Sequence, residues 1–402
     1  MVLPPGPRGD SPRVNPAKKF RAACYTIEGL NSFAVVIYFN YLYFLFRDRF
    51  GFNDKQNLAL AALIGLIYTF ASWQAGRFAQ RCGYFTALKI GFGLMAAGLA
   101  AGSRLDSVTG QIVAACVVNT GMCFIWPVLE ALVSEGANAA RAVGIYNITW
   151  AVNNAFAYFI GGALIEKFGY QSIFYVPLAF MLVQLAMVFW LEKIHVNPVV
   201  PGAEKGLPPA PHRPLRETAR KFQRLAWLAN PFAYIAINTL IAVIPGLAAK
   251  FQLSPMLAGF VCSLWCFARV FAFVALWRWP GWHYRFRWLV TAFALLIVSF
   301  ALILTAPNLA VLLVAQIFFG VAIGLIYYSS LFYSMDASDT KSEHGGIHEA
   351  AIGLGNFIGP AVGAASLQFL PQYASSGTIA VSALLLCGLG GLVAIWKTGR
   401  GN

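Results

Sequence analysis

Residues 22–46 read AACYTIEGLNSFAVVIYFNYLYFLF, twenty-five positions with one charged side chain, Glu28. Basic residues precede the run (Lys18, Lys19, Arg21), and Arg47, Asp48 and Arg49 follow it. A helix rises about 1.5 Å per residue, so about 20 apolar residues cross the roughly 30 Å hydrocarbon core of a bilayer. The run is longer than the apolar core of a signal peptide and therefore reads as a retained first span.

Outward from this segment the pattern recurs. Apolar runs at about 22–46, 57–75, 85–103, 110–133, 143–165 and 171–191 make a first set of six. Runs at about 227–248, 255–277, 288–306, 308–334, 347–370 and 376–396 make a second. None shows the alternation of a barrel strand, so helices, whose backbone groups pair internally, are expected to cross the lipid. Of the 402 residues, 59% are hydrophobic and 11% are charged. Soluble domains carry about 25% charged residues, so the composition excludes a soluble enzyme and a disordered chain. The expected fold is an all-α membrane protein of twelve transmembrane helices in two six-helix pseudo-repeats.

The expected domain plan is a disordered, basic, Pro-rich N-terminal tail (1–21), a six-helix bundle (22–191), a cytoplasmic linker (192–226), a second bundle (227–396) and a short tail (397–402). The linker holds six prolines and the charged run RETARKFQR, in which a short amphipathic surface helix is expected near Arg216–Arg224. The two halves can be aligned at an offset of 202 residues. Gly144-Ile145-Tyr146-Asn147 then meets Gly346-Ile347-His348-Glu349, Asn154 meets Asn356 and Gly161 meets Gly363, while Tyr158 meets Pro360.

The net charge is +14. Its basic residues sit in gaps between spans and form no helix face for a duplex, so no nucleic-acid partner is expected. With the N-terminus inside, cytoplasmic segments hold 21 Lys and Arg and the other side six. Basic residues collect on cytoplasmic loops. The expectation is a multi-pass protein of the inner or plasma membrane with both termini cytoplasmic. The seven cysteines form no CxxC and read as packing residues.

Between the second and third spans stands Gly76-Arg77-Phe78-Ala79-Gln80-Arg81-Cys82-Gly83-Tyr84-Phe85. It resembles the loop signature of the major facilitator superfamily of transporters. Gly76, Ala79, Arg81 and Gly83 match, Phe78 stands for Leu, and Gln80 replaces the acid. The resemblance implies a gating role for Gly76, Gln80, Arg81 and Gly83, with the acid's charge–dipole latch against the start of helix 11 weakened by Gln80. Span 11 carries Gly355-x-x-x-Gly359-Pro360-x-x-Gly363-Ala364, similar to a motif that the family's antiporters carry in helix 5. The family's basic residue in helix 4 is replaced by Val117.

Charges inside lipid cost at least about 2.5–3.5 kcal/mol on insertion scales, which makes them functional suspects. Glu28, Glu130, His348 and Glu349 are candidate coupling or gating groups; each reads either as a titratable cavity group or as part of a structural gate network. Arg269 is the deepest basic residue. His344, His348 and Glu349 are interrupted by Gly345 and Gly346, and no metal is expected. Asn31 shares the Glu28 side of span 1. Asn147, Trp150 and Asn154 share a face of span 5. With Asn238, Trp265, Arg269, Tyr327 and Asn356 they are the candidate substrate-binding residues. Such amide and aromatic groups suit a polar neutral or amphipathic solute, sugar-like or drug-like.

The expected function is secondary active transport of a small organic solute by alternating access, with protons as a further expected partner and a monomer as the expected state. A non-transporting receptor or sensor on the same scaffold is the alternative. No Ser-His-Asp spacing, HExxH or nucleotide-binding loop occurs, so neither an enzyme nor a cofactor is expected.

Overall fold

The computed structural model describes residues 16–134, 139–194, 216–337 and 343–398, with side chains over 18–134, 141–194, 217–334 and 349–398. No strand occurs among the described residues. The first half comprises α1 (Pro16–Phe50), α2 (Asp54–Cys82), α3 (Tyr84–Gly102), α4 (Val108–Cys123), α5 (Trp126–Ser134), α6 (Ala139–Phe168) and α7 (Ser172–Ile194). The second comprises α8 (Arg216–Lys250), α9 (Pro255–Arg278), α10 (Phe286–Thr305), α11 (Leu309–Ala337), α12 (Glu343–Phe369) and α13 (Ser376–Thr398). Among the described residues, twelve stretches are long and apolar enough to cross a membrane, with α4 and α5 together forming the fourth. Twelve crossings bring the start of α1 and the finish of α13 to the same end of the bundle, called here the termini end.

The helices outrun the apolar stretches that announced them. The run at 57–75 becomes a helix from Asp54 to Cys82. Apolar length measures lipid thickness; polar helical turns continue past it into water. The start of α2 is fixed by a capping box, in which the Asn53 side chain accepts from the Gln56 N–H and the Gln56 side chain accepts from the Asn53 N–H, both at 3.0 Å. At its other end, Gly76, Gln80 and Arg81 are still helical, and the turn into α3 is made by Gly83 alone at φ 92°. That backbone conformation disfavours any residue with a Cβ.

Two expectations are corrected. The fourth span is not one helix: it breaks at Phe124–Ile125, where the N–H groups of both residues fall back to i−3 carbonyls. Pro127 follows directly; it has no N–H, and its ring would collide with the Cys123 carbonyl in a continuous helix. Nor is Arg216–Arg224 a separate surface helix. It forms the first turns of α8, and the linker between α7 and α8 narrows to residues 195–215. Its amphipathic stripe faces protein: Ala219, Phe222, Leu225 and Ala226 are buried, and Phe222 packs on Tyr284, Tyr333 and Trp396. The first helix likewise begins at Pro16, inside the segment expected as tail, and α13 runs to Thr398; residues 1–15 and 399–402 lie outside the described residues.

Polar side chains knit neighbouring helices. Asn119 of α4 donates to the Ile64 carbonyl of α2 at 3.0 Å, and Gln111 donates to the Gly102 carbonyl at 2.7 Å. Large apolar residues such as Phe70, Leu182, Phe271 and Ile379 stand exposed on the outside, as lipid-facing positions should. The halves meet chiefly where α2 packs on α12 and α6 packs on α9. These pairs are spans 2 with 11 and 5 with 8, so exchanging the halves maps one interface onto the other, as two copies of one bundle require. Small residues permit the approach. A Cβ on Gly65 would sit 2.4 Å from the Asn356 backbone, and one on Gly162 would sit 2.0 Å from the Pro255 carbonyl oxygen. Gly355 and Gly359 of the span 11 motif serve a contact inside the second half: a Cβ there would meet the backbone oxygens of Pro231 and Ile235 on α8 at 2.4 and 2.5 Å.

Candidate functional site

A cavity of about 190 Å³ lies between the two halves, lined from both. The first half contributes Glu28, Ser32 and Asn40 from α1, Tyr68 from α2, Asn119 from α4, Trp126 and Glu130 from α5, and Tyr146, Trp150, Asn154 and Tyr158 from α6. The second contributes Tyr234 and Asn238 from α8, Trp265 and Arg269 from α9, Tyr327 from α11, and Glu349 and Asn356 from α12. Seven candidates from the substrate-binding set thus line one space: Trp150, Asn154, Asn238, Trp265, Arg269, Tyr327 and Asn356. So do the acids Glu28, Glu130 and Glu349.

The carboxyl groups are held in different ways. Glu28 has no solvent exposure and accepts hydrogen bonds from Ser32 Oγ at 2.7 Å and from Tyr146 OH at 2.8 Å. Ser32 lies one turn on along α1, whereas Tyr146 reaches across from α6. Glu349 is 7% exposed and accepts a short hydrogen bond from the Tyr68 hydroxyl, which ties α12 of one half to α2 of the other. Glu130 is half-buried in the cavity wall. The α4–α5 break aims this wall: Trp126 and Glu130 are both on α5, in a helix that begins anew after the break.

Arg269 is the cationic counterpart. It is 5% exposed, and its guanidinium carbon lies 4.5 Å from the Trp150 ring centroid and 5.0 Å from that of Trp265. Among the described residues its Nε and Nη2 have no hydrogen-bond partner. The ion pairs Arg47–Asp54, Arg49–Asp106 and Lys89–Glu192 lie near helix ends and leave it aside. Trp150 is anchored by its indole N–H, which donates to Asn147 Oδ1 at 2.7 Å, and by edge contacts with Tyr327 and Phe273. The cage around Arg269 therefore takes one indole from each half.

Asn31 and Asn147 do not line the cavity. Asn31 is buried in the bundle beside it, rotated about 60° around α1 from Glu28, as a three-residue step on a helix of 3.6 residues per turn dictates. Asn147 spends its amide nitrogen on the Val143 carbonyl at 2.8 Å and its oxygen on Trp150, so it positions the indole. Gly76, Gln80, Arg81 and Gly83 lie at the termini end of α2, with Gln80 and Arg81 exposed and apart from the cavity wall. The side chain of His348 lies outside the described residues. The sequence reading did not single out Tyr68, Tyr158 or Tyr234 as site residues, having searched for charges and amides first. A hydroxyl carried into an apolar run was the signal that could have found them.

At the end away from the termini the halves are bonded together. The Met256 N–H of α9 donates to Glu166 Oε1 of α6 at 2.9 Å, and Lys55 Nζ of α2 donates to Gln368 Oε1 of α12 at 2.9 Å.

The family model of the Major Facilitator Superfamily matches residues 22–360. No curated protein matches the chain at the level of sequence. Among solved structures it is similar to the human organic anion transporter MFSD10, at 14% identity and a TM-score of 0.65, covering 94% of this chain and 100% of that one. It is also similar to a structure from a study of substrate recognition in proton dependent oligopeptide transporters, at 16% identity and a TM-score of 0.65 over 95% and 98% of the two chains. A third likeness is to a bacterial homolog of the human lysosomal transporter Spinster, solved inward-facing and unoccupied, at 14% identity and a TM-score of 0.66 over 96% of each chain. At these identities the likeness is one of fold.

Proposed function

Because the chain belongs to the Major Facilitator Superfamily, we propose that it is a secondary active transporter that moves a small organic solute by rocking its two halves about the cavity between them. The observation that carries this reading is the placement of the cavity: polar groups from both halves line one space, and the α2–α12 and α6–α9 interfaces flank it. The Glu166–Met256 and Lys55–Gln368 hydrogen bonds close one end. Opening that end breaks both, and a compensating closure is then required at the termini end. The solute-binding residues are Trp150, Asn154, Asn238, Trp265, Arg269, Tyr327 and Asn356, supported by their common wall. The chain works as a monomer in the inner or plasma membrane with both termini cytoplasmic; the basic tail and linker support that orientation.

Proton coupling belongs to the same proposal. Glu28, Glu130 and Glu349 line the cavity without an ion-pair partner among the described residues. A buried carboxylate without a cation costs several kcal/mol. A proton that travels with the solute would offset that cost in the occluded state. Tyr43, Tyr68, Tyr146, Tyr158, Tyr234, Tyr327, Cys266 and Arg269 are the other titratable or charged groups lining the cavity with them. The test is uptake into proteoliposomes under an imposed pH gradient. Accumulation driven by the gradient, and its loss in Glu28→Gln with solute exchange retained, is expected. Uptake indifferent to the gradient would remove proton coupling, and absence of any solute movement would remove the transporter reading.

A further inference from the structure

We infer that the solute is an amphipathic organic anion whose oxyanion group docks on Arg269 at the junction of α6 and α9. Its movement rests on the transporter reading above; its binding does not. The cavity is chemically lopsided. On the α6–α9 side, four donor groups have no partner among the described residues: Nε and Nη2 of Arg269, the indole N–H of Trp265 and the hydroxyl of Tyr158, all buried and all on residues that line the cavity, with the Trp265 ring 5.0 Å from the guanidinium carbon and 6.2 Å from the Tyr158 ring. Buried polar groups are nearly always paired, and a guanidinium keeps its charge at any ordinary pH. A cation 5% exposed, with unpaired donors and no carboxylate on it among the described residues, has the chemistry of a site that a ligand completes. Three neighbouring side chains with donors to give offer partners for the lone pairs of a carboxylate or a comparable oxyanion.

None of the three cavity acids forms an ion pair with Arg269. Glu28 and Glu349 already accept hydrogen bonds from Ser32, Tyr146 and Tyr68. Tyr234 and Tyr327 line the same cavity, with ring centroids 6.4 Å apart. Among the described residues Arg269 has no ion-pair partner. The rest of the wall includes Val35, Val36, Phe39, Met122, Ile237 and Ile241. These take an apolar body and offer a second charge nothing. The volume, about 190 Å³, somewhat exceeds the roughly 150 Å³ of an apolar cavity that takes up benzene. One ring or a short aliphatic chain with one acidic group fits that space. The amide face of span 5 by itself suggested a neutral solute; the unpaired guanidinium opposite it changes the expectation to an anion.

The test uses the full chain in detergent and in proteoliposomes with matched pairs: benzoate, phenylacetate and 3-phenylpropionate against their amides. Thermal stabilisation of the wild-type protein reads binding directly. The acids are expected to bind at least about tenfold more tightly than the amides, as a charge-assisted contact requires. Arg269→Gln is expected to abolish that preference, and Trp265→Phe, which removes one donor, to reduce it. If the acids bind no better than their amides to the wild type, or if folded Arg269→Gln keeps the preference, the inference is overturned. Because the wild-type comparison needs no variant, a misfolded mutant leaves the test intact. Acids that bind but never cross the membrane would sink the transporter reading alone; amides that cross while acids do not bind would sink the anion alone.

Discussion

Asn147 shows how far a residue can act without touching the cavity. Its oxygen holds the Trp150 indole at 2.7 Å, and Trp150 in turn covers one face of Arg269. Asn147→Leu removes the acceptor and leaves a buried indole N–H unpaired. Hydrogen bonds of this kind contribute about 0.5–1.5 kcal/mol, so solute affinity is expected to fall about 2- to 13-fold, with the fold intact, in a titration followed by thermal stabilisation. An unchanged affinity would show that Trp150 holds its place by packing alone. The residue scale is also where the sequence was least legible. Glu28 and Arg269 stood out because charge inside an apolar run is costly. Tyr68 did not, because a phenol is at home in lipid interfaces and cores alike, and only the partner carboxyl of Glu349 across the bundle gives its hydroxyl a role. Asn31 and Asn147 passed for wall residues because spacing along a helix fixes a face to within one side chain, not which way that side chain turns.

Elements were easier to read than residues, and the misreadings have physical causes. Twelve spans followed from apolar length alone. The break between α4 and α5 did not, since hydropathy is blind to backbone hydrogen bonds; Pro127 was visible, but a proline can bend a helix or divide it. The amphipathic stripe at Arg216–Arg224 was legible as a stripe, yet its apolar face meets Tyr284, Tyr333 and Trp396 rather than lipid, and sequence does not say what covers a face. The close approach of α2 and α12 gives an element-scale prediction. Gly65→Val places side-chain atoms where the Asn356 backbone now lies. The two helices must part, and the conformation described here is lost in favour of one with this interface open. Transport is expected to stop while the melting temperature stays within a few degrees. Reactivity of the cavity thiol Cys266 toward membrane-impermeant reagents should shift from one side of the membrane to the other. A variant that transports normally would mean that the interface tolerates more separation than its packing suggests.

For the whole molecule, the pairing of spans 2 with 11 and 5 with 8 gives the halves a relation that the 202-residue offset only hinted at. Matches such as Asn154 with Asn356 are few, because each half has kept the packing pattern and let the rest drift. Orientation is expected from the basic tail and linker, and Cys82 can report it. It is an exposed thiol at the termini end of α2. In right-side-out vesicles Cys82 should resist an impermeant maleimide, and in inverted vesicles it should react; the opposite pattern would reverse the assignment of both termini. The Trp150 indole lies in the first half, but its ring neighbours Arg269, Phe273 and Tyr327 all belong to the second. Any rocking motion must pull that indole away from a fixed positive charge. An excited indole shifts its emission with the local field, so under the proposed rocking motion Trp150 would serve as an optical gauge of that motion. A spectral change on solute addition that disappears in Trp150→Phe would show that the gauge can be read without attaching any label; a change that persists would place the signal elsewhere among the 11 tryptophans.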